Sequence, residues 1–263
     1  MHRLTWLSKS GLIAQQNKMD SISNNMANVT TTGYKKVDVG FSDLLQESLN
    51  RRGYPIVDRN NPELEHSSGV KSNEWVRNDR QGDLKETGRP VDLAIDGRGY
   101  FQVTTSNGEK AYTRDGSFLV DKNGDLVNSN GYKVTILKDG QEVSLNSAGI
   151  KVTGENIIID DDGNIFLKDE NRDINVGQIK VVDFVGNKSL LSVGDNLFKP
   201  KENVDVINNP DYNVRSGFLE MSNVDLGEEM TELIITQRAF QMNTQALRTT
   251  DEMWSMVNNM RGK

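Results

Sequence analysis

Near the end of the chain, apolar residues recur at Leu226, Met230, Leu233, Phe240, Leu247 and Trp254. Steps of three, four or seven place them on one stripe of a helix. A second stripe runs beside it through Ile235, Ala239, Met242, Ala246, Met253, Met256 and Met260. Neither Pro nor Gly interrupts the run from Glu228 to Arg261, so the pattern predicts a helix of roughly 50 Å at about 1.5 Å per residue. Two adjacent stripes make a face wide enough for more than one neighbour. The start of the chain carries matching text: Leu4, Leu7, Gly11 and Ala14 lie on one stripe, and Leu12, Met19, Ile22, Met26 and Val29 on the next. The one-position shift between stripes is the drift of a straight helix against a heptad repeat. Gly11 and Ala14 are small enough to let another helix approach. The expected packing sets Leu4, Leu7, Leu12, Met19, Ile22 and Met26 against Leu226, Met230, Leu233, Phe240, Leu247 and Trp254.

The first helix is expected to stop in Asn28-Val29-Thr30-Thr31-Thr32-Gly33, where β-branched threonines weaken it and glycine supplies a terminating turn. Residues 34–75 read as an extended connector, with Phe41 to Leu49 as a short helix capped by Ser42. From residue 76 the period changes to two. Val91 to Ile95 alternates, Asp96-Gly97-Arg98-Gly99 turns, and Tyr100 to Thr104 resumes. Asn107-Gly108, Asn123-Gly124, Asp139-Gly140 and Asp162-Gly163 mark hairpin turns. Asn203 to Asn213 reads as a loop. The predicted class is therefore α+β. Helices at 1–33 and 224–263 form one coiled-coil module, and an antiparallel β-rich domain at 76–223 is inserted between them.

Charge supports the pairing of the two ends. Residues 1–36 carry a net +4, residues 224–263 a net −2, and the segment between them −9. Opposite charges beside an apolar seam favour one partner, although solvated helix faces with a chance imbalance would look the same. The acidic middle argues against nucleic acid. A membrane-surface helix at the basic end is the other alternative, but its polar face is rich in Ser, Asn and Gln rather than Lys. The longest apolar runs are too short to span a bilayer, so no membrane insertion is expected. The first residues lack an apolar core and a cleavage site, so a cleavable secretory signal is not expected either.

Candidate chemistry is sparse. Cysteine is absent and the two histidines, His2 and His66, stand far apart, which excludes disulfides and thiolate zinc sites. Neither Asp-rich turn fits a calcium loop, because Ile158 and Leu119 fall at the first ligand position. Gly97-x-Gly99 lacks the rest of a dinucleotide fingerprint, and Gly186-Asn187-Lys188-Ser189 is not a P-loop. A carboxylate pair of a secreted glycoside hydrolase would leave no such signature, yet nothing singles out one of the 38 acidic residues. Six of the nine methionines lie between Met221 and Met260. They read as packing against irregular neighbours rather than as a copper site. No catalytic residue, metal or cofactor is expected.

Several longer motifs resemble one known family. Asn24-Asn25-Met26-Ala27-Asn28-Val29-Thr30-Thr31-Thr32-Gly33-Tyr34-Lys35 resembles the N-terminal signature of bacterial flagellar rod and hook proteins. Ser222-Asn223-Val224, within Gly217 to Leu226, is similar to the second signature, followed by Gln237-Arg238-Ala239-Phe240 and Thr249 to Met253. Gly97 to Val103, Tyr112 to Phe118 and Gly194 to Phe198 resemble the family's shared β-domain. Gln237-Arg238-Ala239-Phe240 followed by Asn243 is most similar to the distal-rod branch, with proximal-rod and hook members as rivals. The resemblance implies a non-enzymatic subunit that polymerises helically into a rigid hollow drive shaft. The partners it implies are other copies of the chain, other rod and hook proteins, and the type III export apparatus, with ring proteins around the rod possible. Its implied location is the flagellar basal body, outside the cytoplasmic membrane after export.

Overall fold

The computed structural model describes residues 2–43, 46–48, 65–67, 69–138, 140–145, 152, 154, 156–169, 172–186, 189–201, 204, 206–207 and 212–261. The chain forms two compact units, one of Met1–Met26, Val37–Val76 and Asp225–Lys263, the other of Ala27–Lys36 and Arg77–Val224. The expected 34–75 connector is thus divided, its first residues belonging with the β-rich unit and the rest with the helices.

In the helical unit, α1 spans His2–Ala27 and α2 spans Leu226–Arg261, 26 and 36 residues long. Asp225 caps α2, its Oδ1 accepting from the backbone N–H of Gly227 at 2.8 Å and of Glu228 at 3.2 Å, with Glu228 and Glu229 in the first turn where the helix dipole favours anions. The helices meet in antiparallel order. Asn25 Nδ2 donates to Glu229 Oε2 at 3.2 Å, Lys18 Nζ lies 2.8 Å from Glu232 Oε2, and a Cβ on Gly11 would stand 3.1 Å from Asn243 Nδ2. Asn25 also accepts from Val37 N and donates to Val37 O, both at 3.0 Å, so its amide acts as a ladder partner for the strand that follows.

That strand corrects the reading of Phe41 to Leu49 as a helix. Val37–Asp43 is extended and pairs with Val70–Arg77, and Gln46–Ser48 pairs antiparallel with Glu65–Ser67. Ser42 Oγ donates to Asn73 Oδ1 at 2.9 Å, on the paired strand. Val37, Val39 and Phe41 alternate, and β-branched residues gain more on a pleated surface than in a helix. Leu49 and the rest of the connector to residue 64 lie outside the described residues.

The second unit is almost wholly antiparallel. Its nine-stranded sheet is organised around Tyr100–Thr104, which pairs with Lys110–Thr113, Lys133–Val134 and Val181–Phe184. A five-stranded sheet runs Gln141–Val143, Ile136–Lys138, Arg172–Ile179, Asn164–Asp169 and Ile157–Ile159. Two further ribbons join Tyr212–Ser216 to Leu93–Gly97 and Phe218–Glu220 to Leu84–Glu86. The tips at Gly108, Gly124, Gly140 and Gly163 have φ of 78–81°, the positive values that the Asn-Gly and Asp-Gly text demands; Asp139 lies outside the described residues. The Asp96 to Gly99 turn is not a hairpin, because Leu93–Gly97 and Tyr100–Thr104 enter different sheets. Within the expected loop from Asn203 to Asn213, Val206–Ile207 is a short strand on Val181–Phe184. The core gathers Leu93, Ile95, Phe101, Phe118, Ile165 and Val214, all at most 1% exposed. Tyr100, Tyr112, Phe184 and Phe198 form a separate aromatic cluster, with Tyr112 and Phe184 edge to face at 4.7 Å.

Candidate functional site

The most constrained chemistry in the molecule is an ionic node inside the β-rich unit, built from three segments far apart in sequence. Its first contributor is the stretch that leaves α1. Gly33 sits at φ 66° and donates its N–H to Glu220 O at 2.8 Å. A Cβ there would stand 2.4 Å from Asp115 N, so only glycine lets the chain pass. Thr32 Oγ1 donates to Asp115 Oδ1 at 2.7 Å, and Asn196 Nδ2 donates to Thr32 O at 3.0 Å. Two residues on, Lys35 Nζ donates to Glu220 Oε1 at 2.5 Å and to Arg80 O at 2.8 Å.

Glu220 ends the Phe218–Glu220 strand and receives all three parties. Besides Lys35, its Oε1 accepts from Gly82 N at 3.0 Å, and its Oε2 accepts from Arg114 Nη1 at 2.9 Å. Arg114 is further fixed by Ile95 O at 3.2 Å and Gly97 O at 2.7 Å. The side chains of Lys35 and Glu220 are each 1% exposed and that of Arg114 is 5% exposed. Asn223 closes the arrangement, accepting from Lys36 N at 2.6 Å and donating to Asn78 O at 2.9 Å and Arg80 O at 2.8 Å.

Two cations around one carboxylate leave a buried excess of positive charge. Burial drives the Lys35 amine below the usual lysine range, with the Glu220 charge opposing that shift and the Arg114 charge adding to it. Burial likewise raises the Asp115 carboxyl above the usual range, against the hydrogen bonds from Thr32 and Ser117. The Glu220 oxygens accept from three donors at hydrogen-bonding distance, which holds the carboxylate in one orientation. The arrangement is a clamp that fixes the segments entering and leaving the unit.

Residues 8–35 match the family described as flagella basal body rod protein, residues 94–167 the flagellar hook protein FlgE/F/G D1 domain, and residues 215–260 the flagellar basal body rod FlgEFG protein C-terminal region. The chain is 36% identical to the flagellar basal-body rod protein FlgG of Borreliella burgdorferi, over 99% of both chains. It is 35% identical to FlgG of Bacillus subtilis over 99% of this chain and 100% of that one. FlgG of Buchnera aphidicola from Acyrthosiphon pisum is 34% identical over 97% and 98%. The chain belongs to the FlgG family of flagellar basal-body rod proteins. It is a structural subunit of the distal rod in the bacterial flagellar basal body, and the FlgG relatives favour that reading over the proximal-rod and hook alternatives.

In this FlgG-family chain the signature residues fall into two groups. Thr32, Gly33, Lys35 and Asn223 belong to the clamp, and Asn25 to the helical unit. Asn24 and Ala27 are exposed, while Asn28, Tyr34 and Ser222 are half-buried. Val224 is buried, Gln237 is exposed, and Arg238 is exposed with Nη1 donating to Gln241 Oε1 at 3.2 Å. Sequence reasoning does not single out Glu220, Arg114 or Asp115. Their signal is an Arg-Asp pair and a Glu set in apolar strand text, where charge is costly unless paired.

The residues expected to pack between the helices are placed unevenly. Ile22 is buried, and Leu12, Met19 and Met26 are half-buried, while Leu7 is exposed; the Leu4 side chain lies outside the described ones. On α2, Leu233, Phe240 and Leu247 are half-buried, but Leu226, Met230 and Trp254 are exposed. The most buried positions of α2 are polar: Glu229, Thr236 and Thr250 at 0, 6 and 5% exposure. With half-buried Asn243 they step by seven, a polar line flanked by the apolar stripes.

Proposed function

We propose that this chain polymerises helically through its two terminal helices, paired as an antiparallel coiled coil, into the rigid hollow shaft that transmits torque. One observation carries the reading: the second apolar stripe of α2 faces outward through Ile235, Met242, Met253, Met256 and Met260, as does Trp6 near the start of α1. Trp6 is 61% exposed, Ile235 63%, Met242 66% and Met260 75%, and every residue from Asp251 to Met260 is exposed. Full burial of one such side chain is worth roughly 1.5–3 kcal/mol, and a solvated apolar stripe of this length marks an interaction surface. A second copy of α1 and α2 offers the matching face, and heterologous contacts of this kind leave an open helical polymer. In this reading 1–33 and 224–263 line the inner layer and 76–223 lies outside. The chain is exported by the type III apparatus before it assembles, and ring proteins surround the finished rod. As a family member it works alongside other flagellar rod and hook proteins.

Electron microscopy of the concentrated chain tests the proposal. Rods are expected from the unaltered protein and none from Met230→Asp or Met242→Asp, whose side chains are already solvated and whose monomers should melt normally. Rods from both variants would refute it.

A further inference from the structure

The two helices of the helical unit carry a polar seam whose spacing matches on both sides. On α1, Asn25, Lys18 and Gly11 step back by seven; on α2, Glu229, Thr236 and Asn243 step forward by seven. Asn25 Nδ2 meets Glu229 Oε2 at 3.2 Å, and Gly11 meets Asn243, whose Nδ2 would stand 3.1 Å from a Cβ there. The two contacts lie fourteen residues apart on each helix, so they report one register. Between them Lys18 Nζ reaches Glu232 Oε2 at 2.8 Å, one turn before Thr236. Asn25, Glu229 and Thr236 are desolvated, at 1, 0 and 6% exposure.

The apolar positions alone do not fix that register. Leu226, Leu233, Phe240, Leu247 and Trp254 repeat every seven residues, as do Leu12, Met19 and Met26. Sliding one helix by a heptad, about 10 Å, therefore sets apolar positions on apolar positions again. The polar seam does not survive the slide. Gly11 is the single glycine of α1, and a slip by seven brings Asn243 opposite Lys18 in one direction and Leu4 in the other. Either side chain fills the room that glycine leaves. The first slip also carries Glu229 past the end of α1, and the second carries Asn25 past the start of α2. Setting registry is the best-attested use of a polar residue at a helix–helix core position.

We infer that Asn25, Glu229, Gly11 and Asn243 form a register lock, which selects one alignment of α1 and α2 among the heptad-related ones that the apolar stripes allow. The lock sets how far α2 runs past the start of α1. With Asn25 opposite Glu229, His2 falls opposite Glu252, so residues 253–261 overhang, and residues 253–260 are exposed throughout. A heptad slip would change that overhang by seven residues. With the lock, every chain presents the same length of exposed helix. This concerns pairing inside one chain and stands whether or not copies polymerise.

The chain lacks cysteine, so Ser23→Cys and Gln245→Cys, both at exposed positions, put one spin label on each helix. In the observed register the labels are about 20 Å apart along the helix axis. Pulsed dipolar spectroscopy is run on labelled chain diluted in excess unlabelled chain, so that only pairs within one chain are read. One distance is expected in the otherwise unaltered chain, and also with Glu229→Gln, which keeps an acceptor for Asn25. Glu229→Met combined with Asn243→Ala removes both the polar and the steric discrimination. A second distance displaced by about 10 Å is expected there, with ellipticity at 222 nm retained. A merely stabilising role for these residues would lower the melting temperature without creating a second register. A single unshifted distance in Glu229→Met/Asn243→Ala overturns the lock. So does loss of helix in that variant, because the apolar stripes should still hold the pair, and so does a spread of registers in the unaltered chain.

Discussion

Glu220→Gln is the sharpest perturbation of the clamp. Glutamine keeps the volume and one acceptor, but turns an NH₂ donor toward one of the donors that now converge on the carboxylate. Lys35 and Arg114 are then left 1% and 5% exposed without a counter-charge. Removing one partner of a buried ion pair costs about 3–5 kcal/mol. In a unit of this size each kcal/mol lowers the melting temperature by about 2–4 °C, so a drop of roughly 6–20 °C is expected. Circular dichroism near 215 nm reads the β-rich unit, because the helices contribute less to its melting step than at 222 nm. Urea unfolding of Glu220→Gln, Lys35→Met and the double variant then completes a cycle. The double variant should lose less than the sum of the singles, since the introduced glutamine no longer faces a stranded lysine charge. A loss below about 1 kcal/mol, the level of a solvated surface pair, would show that the node is not desolvated as the geometry has it.

Three further predictions concern separate features. Gly33→Ala combines a positive φ with a Cβ 2.4 Å from Asp115 N; it should destabilise the β-rich unit by more than about 2 kcal/mol in urea unfolding, and wild-type stability would contradict the close passage. Asp115 has a folded pKa above its unfolded 3.8, so the native state holds the proton longer. The associated stability is complete below pH 3.8 and is lost as pH rises through the folded pKa. Asp115→Asn keeps an acceptor for Thr32 and Ser117, so its melting temperature should gain on wild type across that window, and parallel pH profiles would refute the assignment. Ile22→Ala removes a buried apolar side chain of α1, 1% exposed, and should cost about 2–5 kcal/mol in the helical unit, visible as an early loss of ellipticity at 222 nm.

Much of this architecture is readable from residue spacing. Both helices follow from a 3.6-residue period uninterrupted by Pro, and the hairpins from Asn-Gly and Asp-Gly pairs that need positive φ. The end of Val37–Asp43 reads as the start of a helix because its partner, Val70–Arg77, lies some thirty residues on, and a short apolar segment suits helix or strand until its partner is known. The turn at Gly97–Gly99 reads as a hairpin because local sequence reports a reversal but not which sheet each arm joins. The clamp is legible only in halves. Gly33 and Lys35 lie in one signature and Asn223 in another, but that Glu220 and Arg114 meet is a tertiary fact. On α2 the periodicity finds the apolar stripes and cannot say which face the chain covers itself. Glu229, Thr236 and Thr250 take that place, leaving Ile235 and Met242 outward.

Polymerisation through the terminal helices requires those outward faces to become buried between subunits. Because the chain has no cysteine, Met242→Cys and Leu119→Cys each install a single thiol, the second on an exposed strand of the β-rich unit. Maleimide labelling rates are then measured in monomer and in assembled rods. The thiol at position 242 is expected to react at least tenfold more slowly in rods while the thiol at position 119 keeps most of its reactivity. Equal labelling of position 242 in monomer and rod would contradict polymerisation through the terminal helices.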